Sequence, residues 1–306
     1  MMPPCTITQM NLDQIADALE AEFPGLGSIR RCKLLGSGFN SIAVETNSGL
    51  VFRVGRTSDT NYAKEARLLP QLATKVPVPI PSPRWFVESS DMFPHGAIGY
   101  EKIDGLTLTH AADPHDQLAN DLANFLRALH AFPVVEATSL GVPRARPVAS
   151  WLAPLRDEAM PVLGDLTTAA EIARIDAWWS AVLSDTELDG YAPALCHYDF
   201  WMENLLVDGT GTRLAGVLDF EDALIGDPAQ DFATLMDLGE PFLADVERAY
   251  VAAGGAFDRG YAHRRRRHWE LRPLGGLSYG IRQNDRDEVV DSVAKLRRGP
   301  VLSESP

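Results

Sequence analysis

In the segment NLDQIADALEAEFPG, apolar residues recur at helical spacing: Leu12, Ile15, Ala16 and Leu19 share one face, and Pro24-Gly25 end the pattern. The period then changes. IRRCKLL, NSIAVET and LVFRVGR are short alternating runs, with GSGF between the first two and an Asn-Ser-Gly turn before the third. This spacing predicts three antiparallel strands with a glycine loop between the first pair. A helical period returns over 61–76, after which PVPIPSPRWFV resets the chain to extended structure, because its prolines cannot continue a helix. GAIGYEKIDG (96–105) reads as one more strand that ends in a turn. Residues 1 to about 100 are therefore expected to form a small lobe, mostly antiparallel sheet with two helices.

Farther along, HDQLANDLANFLRALHAF is a strongly amphipathic helix and RIDAWWSAVLSD a second one. CHYDFWMENLL and LAGVLDFEDAL read as short strands in a helical setting. Helical periods resume after residue 231 in DFATLMDLG, LADVERAYVAAGG and HRRRRHWELRPLGGLSYGIRQ. The second lobe is expected to be mainly helical, which makes the fold class α+β, and no internal repeat is visible.

The 306 residues are enough for two lobes with real cores, and 45% hydrophobic with 23% charged residues is the composition of a globular protein. The formal net charge of -14, with a pI near 4.9, repels nucleic acid and favours cationic small molecules or cationic partners. The basic run HRRRRH (263–268) is read as a solvated helix face rather than a nucleic-acid patch. Cys5, Cys32 and Cys196 lie far apart and match no metal or disulfide spacing. MMPPCTITQM lacks the basic and apolar regions of a signal peptide, and no run of about twenty apolar residues occurs, so a soluble cytoplasmic protein is expected.

The candidate chemistry centres on residues 196–206, where His197, Asp199 and Asn204 stand at the spacing H-x-D-x-x-x-x-N before an apolar strand. Farther on, GVLDF delivers Asp219 at the end of another apolar run. Two carboxylates at strand ends with an amide beside them suit Mg²⁺, which takes hard oxygen ligands. Taken singly, the other features are ordinary. GSGFNS (36–41) fits a hairpin whose glycines supply positive φ, Arg53 an edge-strand charge, and Glu65 a solvated helix residue.

HYDFWMENLLV together with GVLDFEDALIGDPAQDFATL resembles the aminoglycoside phosphotransferase family, whose two-lobed fold is similar to that of protein kinases. The resemblance extends over nearly the entire chain and includes the glycine loop, RALHAFP and the helix start GDPAQDFA. It implies that residues 1–100 are a nucleotide-binding lobe, 101–105 a hinge and 106–306 a helical lobe with the catalytic loop. It further implies that Asp199 accepts the proton of the attacking hydroxyl, that His197 shapes the loop beside it, and that Asn204 and Asp219 hold Mg²⁺ on the phosphates of ATP or GTP. Gly36, Ser37, Gly38 and Asn40 would cover those phosphates, while Asp231 would order the catalytic region. Arg53 stands where kinases place a lysine, with Glu65 as its natural partner; arginine stays charged and binds phosphate bidentately. Backbone groups from Tyr100 to Ile103 would meet the purine edge.

For the acceptor, Glu203, Glu221, Asp222, Asp237 and Glu240 cluster in sequence around these parts, with Trp201, Trp269 and Glu270 adding aromatic and anionic contacts. Glu203 and Asp237 are the leading candidates. A cationic small molecule is expected, an aminoglycoside antibiotic first of all, modified as a means of resistance. The alternatives are a macrolide kinase or a kinase of choline, homoserine or a thiosugar. A metal-dependent hydrolase built on His197, Asp199 and Asp219 would leave the glycine loop and the Arg53–Glu65 pair unexplained. A nucleotide-binding protein without catalysis is opposed by Asp199, Asn204 and Asp219 occurring together. No obligate protein partner is evident.

Overall fold

The computed structural model describes residues 11–38, 40–58, 60–108 and 116–303, so Phe39 of the glycine loop and the segment holding Cys5 lie outside the described residues. α1 (Leu12–Glu22) starts at Asn11, whose side chain accepts from the Gln14 N–H while the Gln14 side chain accepts from the Asn11 N–H. That reciprocal cap satisfies two donors that a helix start leaves without partners. β1 (Cys32–Ser37), β2 (Ser41–Thr46), β3 (Leu50–Gly55), α2 (Tyr62–Leu72), β4 (Trp85–Val87) and β5 (Ala97–Glu101) follow. The five strands make one antiparallel sheet in the order β1-β2-β3-β5-β4.

The period of two along β3 sends Phe52 and Val54 into a core with Ile15, Leu19 and Val44, and turns Arg53 to the opposite face, where α2 presents Glu65. Gly99 lies opposite Phe52 in the register and leaves room for its ring; a Cβ there would come within 2.3 Å of Phe52 Cε1.

β6 (Leu106–Thr107) leads into the larger lobe. There α3 (Asp116–His130), α4 (Val134–Ser139), α5 (Val148–Leu166) and α6 (Ala169–Leu183) precede four short strands: β7 (Ala194–Cys196), β8 (Leu205–Val207), β9 (Leu214–Val217) and β10 (Leu224–Gly226). α7 (Ala229–Ala233), α8 (Glu240–Ala252), α9 (Tyr261–Leu271), α10 (Pro273–Gln283) and α11 (Arg286–Arg298) complete the chain. β8 lies between β6 and β9, and β7 pairs with β10. These ladders share one core with the buried face of α3, through Leu122, Phe125, Leu126, Leu195, Leu205 and Val217. A second core joins α5, α6, α10 and α11 around Leu152, Trp179, Leu277 and Leu296. The fold is thus α+β, a small antiparallel-sheet lobe beside a mainly helical one. Among the described helices, none is long and apolar enough to cross a membrane.

The hydrophobic pattern does not predict α4, α5 or α11. α5 contains Pro154 and Pro161, which break helical pattern recognition, yet Leu152, Leu155, Ala159 and Leu163 still form a buried stripe that holds it. α11 is dominated by charge, but the Asp285 side chain caps its start, accepting from the Asp287 and Glu288 N–H groups, and Val289, Val293 and Leu296 pack inward.

Gly99→Ala should lower stability by about 1–3 kcal/mol, the usual range for overpacking a core, because the methyl must displace the Phe52 ring. Chemical denaturation checks this, and a midpoint equal to that of the parent protein would show that the sheet yields without strain.

Candidate active site

β7 runs into His197, Tyr198 and Asp199, and the anchor of this turn is Asp231 on α7. The fully buried Asp231 carboxylate accepts from the His197 N–H through Oδ2 (2.9 Å) and from the Tyr198 N–H through Oδ1 (2.8 Å), and Oδ2 also meets His130 Nε2 at 3.1 Å. Tyr198 takes a positive φ of 70°, which a tyrosine holds only when its surroundings impose it. His197 is buried between Phe200 and Phe220. Its Nε2 lies 2.8 Å from the Leu218 carbonyl, which can only accept, so Nε2 carries the hydrogen and Nδ1 is left to accept from the Asp199 N–H at 3.3 Å. Burial also lowers the pKa of the ring, which keeps it neutral. His197 therefore positions Asp199 and does not itself line the cleft.

Asn204 Nδ2 donates to Asp199 twice, to the backbone O at 2.9 Å and to Oδ2 at 2.8 Å. Both partners are acceptors, so the amide nitrogen must face them and the Asn204 oxygen is turned away from Asp199. Leu218 N–H donates to the Asn204 backbone carbonyl at 2.8 Å and so ties this loop to the end of β9. Asp219 follows with a positive φ of 58° and a side chain 39% exposed. Asp199, Asp219, Glu221 and Asp222 line a single cavity of about 520 Å³ with Gly38, Asn40, Ser41, Trp201 and Glu203. Burial first, then the charges of Asp222 and Asp219, push the Asp199 carboxyl up to about 7, against the hydrogen bond from Asn204. So many carboxylates together favour a hard divalent cation, and the Asn204 amide oxygen with Asp219 is the oxygen donor set that Mg²⁺ takes.

Arg53, buried on β3, is held by Glu65 at 3.0 Å, as the sequence predicts, and in addition by Asp219 at 2.9 Å and by Glu221. Burial opposes its charge, but Glu65 and Asp219 above all keep the guanidinium protonated well above its ordinary value. Glu221, read from the sequence as an acceptor-side carboxylate, belongs instead with Arg53 and with Asn40, whose Nδ2 donates to it at 3.2 Å. Lys64 was not legible in the sequence. Its buried amino group donates to the carbonyls of Glu221 and Ala223, which fastens α2 to the segment after Asp219. Gly36 and Ser37 are paired strand residues opposite Ala43 and Ile42, and Gly38 and Asn40 form the turn above the cleft. Neither Gly36 nor Gly38 uses a positive φ, which corrects the conformational reason expected for them.

At the other end, alternation along β5 decides which backbone groups are free. Gly96 accepts from Gly55 and Lys102 donates to Gly49 on the β3 side, whereas Gly99 accepts from Arg84 on the β4 side. Even-numbered positions thus face β3, so the backbone of Tyr100 is committed to the sheet, and Glu101, followed by Ile103, is on the edge left open beyond β4. The expectation for Tyr100 moves to its neighbour Glu101.

On the acceptor side, Glu203 is exposed and lines the cavity, but Asp237 is capped by Arg272, whose guanidinium also stacks 4.3 Å above the Trp201 ring. Trp269 lines an adjoining cavity with Asp237 and Arg272. Glu240, in the first turn of α8, lines neither cavity. Glu270 is corrected outright: it is buried, accepting from Trp178 Nε1 at 3.0 Å, and paired with Arg266 and Arg267, so it braces α9 against α6. The run HRRRRH is likewise not a solvated face. Arg264 is buried against Asp227 (2.8 Å) and Asp258 (2.7 Å), His268 meets Asp227 at 3.0 Å, and His263, Arg265 and Arg267 each reach a carboxylate. Arg272 and Lys295 line the main cavity and were missed; they come from charged helix ends with no motif around them.

The description "Phosphotransferase enzyme family" (APH) belongs to the family model that matches residues 31–269. Viomycin phosphotransferase of Streptomyces vinaceus is 30% identical over 192 residues, 60% of this chain and 61% of that protein. The N-acetylmuramate/N-acetylglucosamine kinase of Caulobacter vibrioides is 30% identical over 165 residues, 51% of this chain and 41% of that protein. The matched span is less than two thirds of the length of each relative. The solved GDP and kanamycin complex of APH(2″)-IIIa has a TM-score of 0.81 at 27% identity, covering 93% of this chain and 97% of that one. The fold is accordingly the two-lobed, kinase-like one.

Asp231→Ala should destabilise the protein by about 2–5 kcal/mol, since it leaves the buried N–H groups of His197 and Tyr198 without acceptors. Thermal or urea unfolding measures this; a loss below about 1 kcal/mol would show that another acceptor replaces the carboxylate.

Proposed function

The chain belongs to the phosphotransferase enzyme family, and from that premise we propose that it moves the γ-phosphoryl group of ATP or GTP to a hydroxyl of an amine- or amide-bearing small molecule. The observation that carries this reading is the hydrogen-bonded pair of Asp199 and Asn204, with Asp199 and Asp219 lining one cavity beneath the β1–β2 hairpin. Asp199 accepts the proton of the attacking hydroxyl. Asn204 and Asp219 would hold Mg²⁺, which when bound would supply neutralisation of the phosphate charge. Arg53, kept charged by Glu65, exchanges its contacts with Asp219 and Glu221 for phosphate oxygens. Residues 101–105 serve as the hinge, with the edge at Glu101 and Ile103 taking the purine.

Aminoglycosides are within this acceptor class, and modification of one as a route to resistance is supported by the kanamycin complex, the viomycin relative, the net charge of -14 and the exposed Glu203. The cavity is polar on its acceptor side, with Glu203, Arg272 and Lys295, and so gives no support to a largely apolar macrolide. A cytoplasmic setting, where nucleotide is supplied, fits this activity.

Asp199→Asn should lower kcat by about 10²–10⁴-fold while leaving nucleotide affinity in place, because the amide keeps the shape of the loop and loses only the base. Coupled nucleotide turnover together with calorimetric binding checks it; undiminished turnover would refute the role of Asp199.

A further inference from the structure

The acceptor side of the cleft carries more positive charge than a polyamine site should. The adjoining cavity of about 230 Å³ is lined by Arg272, Lys295 and Arg298 against one carboxylate, Asp237. Arg272, Pro273 and Lys295 also line the catalytic cavity that Asp199 borders, so the two spaces adjoin across these residues. Asp237 is already matched by Arg272, and Lys295 shares Asp291, on its own helix, with Arg298 (2.7 and 4.0 Å). Arg298 remains 69% exposed. Within a chain of net charge -14, these pairings leave three cations facing two carboxylates at the acceptor end, a local surplus of positive charge that attracts an anion. Trp201 lines the catalytic cavity beneath the Arg272 guanidinium and Trp269 lines the adjoining one, which gives both spaces an aromatic border.

We propose that the acceptor bears an acidic group, carboxylate or phosphate, beside the reacting hydroxyl, and that Arg272, Lys295 and Arg298 seat it. Glu203 then remains for the amine or amide of the same molecule. The inference rests on the phosphotransfer reading and narrows its acceptor toward acidic amino sugars and away from polyamines. The competing account is that Lys295 and Arg298, in the last turn of α11, only complement its helix dipole.

The test uses the full chain with Mg²⁺ and ATP and four acceptors: N-acetylglucosamine, N-acetylmuramate, which adds a lactyl carboxylate, N-acetylglucosamine 6-phosphate, which adds a phosphate, and kanamycin. An acid-bearing sugar should exceed the neutral parent in kcat/KM by about 10- to 100-fold, the worth of a charge-assisted contact. In the double variant Lys295→Ala/Arg298→Ala that advantage should vanish through KM for the acidic sugar, with KM for ATP unmoved. The carboxylate and phosphate arms identify which acid is read. Equal or better use of N-acetylglucosamine or kanamycin overturns the proposal, as does a variant that raises only KM for ATP or lowers only the melting temperature. If no acceptor stimulates turnover while ATP hydrolysis that depends on Asp199 persists, the acidic-acceptor inference fails and the phosphotransfer reading stands. If no such hydrolysis occurs, the phosphotransfer reading fails, and the inference with it.

Discussion

Asp231 commits a fully buried carboxylate to two backbone N–H groups, those of His197 and Tyr198, and the catalytic geometry hangs from that clamp. A buried carboxylate is costly unless hydrogen bonds replace its water, and three contacts, counting His130, do so here. In return the chain is held at Tyr198 in a backbone conformation it would not choose alone, and Asp199 is aimed into the cleft. His197, with its tautomer set by the Leu218 carbonyl, joins this turn to the segment that leads from β9 to Asp219. One carboxylate on α7 thus fixes the spacing between Asp199 and Asp219.

The second constraint is charge. Asp199, Asp219, Glu221 and Asp222 share a cavity, and Arg53 is the buried cation from the sheet that meets them, with Lys64 closing the segment behind. Such a site would hold an anionic nucleotide only with a divalent cation beside it, which would make metal and nucleotide interdependent. Glu65 matters because, in the proposed exchange of the other two carboxylates for phosphate, it would stay with Arg53 and hold the guanidinium in place on β3. The arginine in place of lysine can serve three carboxylates at once through its planar fork, as a point charge could not.

Much of the fold was legible because period is a strong signal. The three N-terminal strands, α2, α3 and the catalytic strands all announce themselves by alternation or helical spacing, and residues 196–219 carry their chemistry at fixed local spacing. What was not legible depends on distant partners. Glu221 looks like a surface acid until β3 brings Arg53 to it, and HRRRRH looks solvated until Asp227, Asp185 and Glu247 approach from other elements. Glu270 failed as an acceptor contact for the same reason, since Arg267 reaches it first, whereas Asp237 is matched by Arg272 yet still lines the adjoining cavity. Helix α5 was hidden by its prolines, since a buried stripe outweighs two lost donors only once α6, α10 and α11 are in place.

Calorimetric titration of nucleotide into the parent protein and into Asn204→Ala and Asp219→Ala, each with and without Mg²⁺, tests the central claim most directly. Mg²⁺ should tighten nucleotide binding to the parent protein and have little effect on either variant. Equal Mg²⁺ enhancement in all three would contradict a site in which Asn204 and Asp219 hold the cation.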